Sequence, residues 1–126
     1  MSLKKIRLEM ARTPRFPDGN PKCGYEFIAP LDADGKLDEG KWAAARSQCT
    51  VHRFSDAADD EHGMLLHHRG KWVFSYRPGT DDDEPIFRFD SHVFRPGEYV
   101  SVTEHDGRTY PFRVVKVRPV LVSKAA

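Results

Sequence analysis

The feature that most narrows what this chain can become is the segment 94–121. Pro96-Gly97 opens an apolar–polar run through Thr103, Asp106-Gly107 interrupts it, and a valine-rich run continues from Phe112 to Val117. Asp-Gly between two alternating runs is a strong local signal for a β-hairpin, because glycine enters the positive-φ region that tight hairpin turns need. A two-residue turn at Asp106-Gly107 would pair Tyr99 with Val114 and Ser101 with Phe112. Pro111 has no N–H to give to a ladder, so it is expected at a bulge or a sheet edge. An edge there, or at the N-terminal strand, would suit a homodimer formed by strand addition, since open edges tend to be paired.

The remaining chain agrees with a sheet protein. Ile6, Leu8 and Met10 alternate with Lys5, Arg7 and Glu9, the period of a half-buried strand. Residues 13–24 carry Pro14, Pro17, Gly19, Pro21 and Gly24 and read as a loop; Tyr25–Ala29 reads as a second strand. Thr50–Phe54 and Ile86–Phe89 are further strands. Gly63–His68 and Lys71–Arg77 flank Arg69-Gly70 and predict a hairpin in which His67 faces Trp72, Leu66 faces Val73 and Leu65 faces Phe74. One helix interrupts the pattern. Asp38 suits its N-cap, Leu37 and Trp42 match a hydrophobic staple, and Trp42, Ala45 and Cys49 form one buried stripe. The helix is expected near 38–48.

Leu, Ile, Val and Phe supply only 28 of 126 residues, so the 14 aromatics must fill much of the core. The expected architecture is therefore mainly β (a β-rich α+β chain): one domain over 1–126, a small antiparallel barrel or sandwich of about eight strands with one short helix.

Function is less constrained. Net charge is +1, from 20 basic and 19 acidic side chains, which gives no bulk attraction to polyanions. The charges are uneven: basic residues gather at both ends of the chain, and acidic ones at Asp56–Glu61 and Asp81–Glu84. No apolar run is long enough for a membrane helix or a secretory signal, and two cysteines are too few for a disulfide framework. A cytoplasmic protein without a membrane partner is expected. The six histidines show no metal-ligand spacing, although Cys49, His52 and His67 could meet through folding; no metal and no cofactor is assigned. The acidic run at 81–84 lacks the glycine of a calcium loop. No nucleophile elbow or phosphate loop occurs, so no catalytic residue is assigned, and of the two thiols Cys23, beside Lys22, has the stronger claim to reactivity. The chain is expected to be a non-catalytic module binding an unidentified ligand or protein. Its candidate surface is the basic–aromatic strand Arg69, Lys71, Trp72, Tyr76 and Arg77, which would also serve an RNA- or single-strand-binding domain, the second reading. A small flavin- or metal-dependent enzyme is the third.

Two local resemblances bear on this. Phe94-Arg-Pro-Gly-Glu-Tyr-Val-Ser-Val102, followed by Asp106-Gly107 and Phe112–Val117, resembles a hairpin of PUA-like and ASCH-like barrels, many of them RNA-associated; this implies a barrel. Phe94–Tyr99 also resembles the Phe-x-Pro-Gly-Gln-Tyr of flavin-reductase barrels, but Arg108-Thr-Tyr-Pro111 comes too soon and has Pro where their flavin-binding Arg-x-Tyr-Ser has Ser. More broadly, Gly24–Asp32, Trp42, Arg46, Cys49–Phe54 and the terminal hairpin together resemble small bacterial proteins of unknown function, which transfers no activity.

Overall fold

The structure, a computed structural model, describes residues 3–14, 16–56, 60–68, 71–76, 84–87, 93–104 and 107–120. Eight strands succeed one another: β1 (Leu3–Met10), β2 (Asn20–Pro30), β3 (Thr50–Phe54), β4 (Glu61–His68), β5 (Lys71–Ser75), β6 (Glu84–Phe87), β7 (Tyr99–Thr103) and β8 (Thr109–Pro119). Each pairs antiparallel with the next, and β8 returns to pair with β1, so the sheet closes into an up-and-down barrel. A short helix α1 (Glu39–Ala45), extended by a 3-10 turn at Arg46–Gln48, lies between β2 and β3. No helix is long and apolar enough to cross a membrane among the described residues.

Alternation places Ile6, Leu8, Tyr25, Phe27, Val51, Leu65, Phe74, Val102, Phe112 and Val114 inside, all essentially inaccessible to solvent. Aromatic rings make up the shortage of aliphatic volume. Tyr25 stacks on Phe74 at 4.9 Å between centroids and meets Phe112 edge-on at 5.1 Å; Phe27 contacts Phe74 and Phe94 at 5.3 and 5.8 Å. An eight-stranded barrel is just wide enough to be filled by side chains, and these rings meet one another inside it.

The helix closes one end. Asp38 caps it as expected, its carboxylate accepting from the Lys41 N–H at 3.0 Å. Trp42 turns into the barrel end, donates its indole N–H to the Leu65 carbonyl at 2.9 Å and meets Trp72 edge-on at 5.4 Å. Close backbone approach shapes the wall at two glycines: a Cβ on Gly24 would overlap the Leu8 carbonyl oxygen, and one on Gly63 the Ser75 carbonyl oxygen.

The β4–β5 register is the expected one, with His67 opposite Trp72 and Leu65 opposite Phe74; Arg69-Gly70 lies outside the described residues. The β7–β8 register is not. Tyr99 pairs with Arg113, Val100 with Phe112 and Ser101 with Pro111, one residue off the expected pairing. The Glu104 N–H bonds to the Arg108 carbonyl, the Gly107 N–H bonds back to the Glu104 carbonyl, and Gly107 has φ +78°. The connection therefore spans three residues rather than two, with Gly107 in the left-handed position, and the extra residue moves the register. The shift puts Val100 and Phe112 together in the core; the expected pairing would have set Ser101 against Phe112.

Two further expectations are corrected. β2 starts at Asn20, so Pro21 and Gly24 belong to a strand rather than a loop. They fall where its pairing with β1 breaks register, between Glu9 and Met10. Pro111 is not at an open edge, because β8 has a strand on both sides; it sits opposite Ser101, and its carbonyl accepts from the Ala11 N–H where the β1 ladder runs out. The bulge of β8 is at Val115 instead. Neither β1 nor β8 offers a free edge to a second copy.

Candidate functional site

The end of the barrel opposite α1 carries the connections β1–β2, β3–β4 and β7–β8, and between them lies a cavity of about 530 Å³. Its lining is apolar on one side, from Met10, Pro14, Phe16, Phe54 and Tyr110. Cys23, Arg53, Ser55, Asp56, Glu104 and Arg108 supply the polar groups.

The base of the cavity is a charged network. Arg53 comes two residues after Val51 on β3, so it points into the barrel, where its side chain is only 17% exposed. Its guanidinium reaches Glu104 Oε1 at 3.4 Å and Glu61 Oε1 at 3.6 Å. The fully buried Tyr25 donates its hydroxyl to the other Glu104 oxygen at 2.7 Å. Glu104, 11% exposed, thus accepts on both oxygens. A carboxylate this far from water needs such partners, since desolvating an uncompensated charge costs several kcal/mol. β2, β3, β4 and the end of β7 each contribute one member, and barrel closure brings them together.

A second polar group sits at the rim. The Cys23 thiol donates to Asp56 Oδ1 at 3.2 Å and accepts from the Asn20 amide at 3.4 Å, with Ser55 Oγ 3.8 Å away. The bond from Cys23 is the main reason that the Asp56 carboxyl is held below its usual value. The other thiol behaves differently. Cys49 is fully buried under α1, and burial pushes its pKa up to about 11. Cys23, by contrast, lines the cavity.

On the basic–aromatic strand the structure corrects the position of Trp72, which is not on the surface. Trp72 is 3% exposed and Phe74 is fully buried, so both rings belong to the core. Tyr76 is half-buried and packs against that core, and Lys71 is exposed. Arg69 and Arg77 lie outside the described residues, as do Asp81–Asp83, His92 and His105. The physical reason is that inward-facing strand residues are aromatic as readily as a stacking platform is.

Nor do Cys49, His52 and His67 converge. His52 lies on the outer face, stacked on His62 at 4.5 Å and bonded to Asp60 at 2.8 Å, while His67 packs on Trp72 and approaches Glu39 at 3.1 Å. Among the described residues no three His, Cys, Asp or Glu side chains are grouped to hold a metal ion.

Sequence reasoning missed the Arg53–Glu104–Tyr25 network. Part of the signal is local: in Thr50–Phe54, Arg53 falls on the same face as the apolar Val51. Its partners are 28 and 51 residues distant in the chain, and nothing local links them. No family model, curated protein or solved structure matches the chain.

Proposed function

We propose that this protein is a small binding module that holds an amphipathic small molecule in the mouth of its barrel. The observation that carries the reading is the Arg53–Glu104–Tyr25 network at the base of a cavity of ligand size. Pockets for small molecules have volumes of about 300–1,000 Å³, combine apolar walls with a few fixed polar groups, and favour barrel mouths. The cavity, about 530 Å³, meets these conditions. Phe16, Phe54 and Tyr110 would cover its apolar part, while the polar groups of Cys23, Ser55, Asp56 and Glu104 would meet a polar or charged end. The two free thiols suit a reducing compartment such as the cytoplasm.

The test is a thermal-shift screen with aromatic acids and aromatic amines, repeated on Tyr110→Ala. A ligand that binds only the folded state raises the melting temperature by mass action. Stabilisation by an aromatic acid or amine that is lost in the variant supports the reading. A panel without effect, or one whose effect survives the substitution, removes it.

A further inference from the structure

The outer face of β7, β8 and β1 carries a concentration of cations that the net charge of the chain conceals. Pairing places Tyr99 beside Arg113, Arg7 beside Lys116 and Lys5 beside Arg118. Arg113, Lys116 and Arg118 are all exposed. Strict alternation would send Lys116 inward, because it is three residues from Arg113. The bulge at Val115 absorbs one residue and turns Lys116 out, so three cations of β8 share one face. They run over about 16 Å at roughly 3.3 Å per residue.

Glu9 lies on this face too, opposite Arg113, but its carboxylate takes Arg7 at 2.8 Å, and Glu26 takes the same guanidinium at 3.7 Å. Arg7 also lies over the Phe54 ring. Lys5, Arg12, Arg113, Lys116 and Arg118 form no ion pair among the described residues.

An aromatic ring stands at one end of this row. Tyr99 is 57% exposed, the one large hydrophobic side chain exposed among the described residues. It borders a second cavity, of about 430 Å³, whose lining includes Glu9, Arg12, Asp18, Asn20 and Arg113. A row of free cations ending at an exposed ring beside a concavity is what single-stranded nucleic acid uses: phosphates track the cations, and a base stacks on the ring. We propose that this face, and not the strand Lys71–Ser75, is a binding surface for single-stranded nucleic acid, with the backbone along Arg113, Lys116, Arg118 and Lys5 and one base on Tyr99.

Fluorescence anisotropy with labelled oligo-dT and oligo-U of about twelve nucleotides tests this. Four phosphate contacts at a slope of about −0.7 each give a roughly 50-fold loss of affinity between about 50 and 200 mM salt. Lys116→Gln with Arg118→Gln should halve that slope. Tyr99→Ala should weaken binding roughly 5- to 150-fold by removing one stacked base. All three positions are exposed, and circular dichroism checks that the variants keep the fold. Absence of binding at about 50 mM salt, where it is strongest, overturns the proposal. So does binding that neither variant changes, and so does capture by phosphatidylserine vesicles with no binding to either oligonucleotide, which would make the patch a membrane contact.

Discussion

Replacing Arg53 with methionine keeps an unbranched apolar stem and removes the guanidinium alone. Glu104 then loses its partner at 3.4 Å and Glu61 its partner at 3.6 Å, while Tyr25 continues to donate to Glu104 at 2.7 Å. Breaking a fully buried pair costs about 3–5 kcal/mol because a charge is left uncompensated. Glu104 is 11% exposed and keeps one strong donor, and Glu61 is a third exposed, so Arg53→Met is expected to cost about 2–4 kcal/mol. Glu104→Gln keeps an acceptor for Tyr25 and leaves Arg53 its contact with Glu61; about 1–2 kcal/mol is expected. The double variant replaces the charge pair with neutral groups and should cost less than the two single variants together, by about 1–3 kcal/mol. Urea unfolding of the four proteins, with unchanged m-values, measures all three quantities. If Arg53→Met costs under about 0.5 kcal/mol, as an exposed surface change would, or if the two costs simply add, the network is not a coupled base to the cavity.

Three other substitutions or treatments test the surrounding structure. Trp42→Phe removes the indole N–H from the buried Leu65 carbonyl and should destabilise by about 1–3 kcal/mol, read in the same unfolding assay. Gly63→Ala drives a Cβ into the Ser75 carbonyl and should cost about 1–3 kcal/mol or more; a neutral effect would contradict the close β4–β5 approach. Alkylation by iodoacetamide, located by mass spectrometry, should modify Cys23 in the folded protein and spare Cys49. The Cys49 thiol is raised from 9.0 to about 11, so the folded state holds its proton more tightly than the unfolded state does. Its contribution to stability is complete below pH 9 and is lost as pH rises from about 9 to about 11.

Local chemistry accounts for which features are legible in the chain. The β4–β5 pairing comes from two apolar runs with matched alternation, and the α1 cap from an aspartate placed before an alanine-rich turn. The β7–β8 hairpin is legible in kind but not in register, because Asp106-Gly107 fits a two-residue turn and a three-residue connection alike. Only the demand to bury Val100 with Phe112 separates them, and that demand comes from the closed barrel. Pro21 and Gly24 look like loop residues, yet Gly24 is needed for close approach of strands. The candidate site depends most on closure. Tyr25 and Arg53 meet through the pairing of β2 with β3, and Glu104 reaches them because β8 pairs with β1 and closes the barrel; a strand such as Lys71–Ser75 shows its aromatics in sequence without showing which way they face.

The claim that the barrel mouth is the ligand site is tested most directly by amide chemical-shift mapping, by NMR, with the aromatic acid or amine that stabilises the protein most. The account predicts that the perturbed amides cluster at Cys23, Gly24, Phe54, Ser55 and Tyr110, around the cavity. Perturbations centred on Lys41, Trp42 and His67, at the helix-covered end, would contradict it.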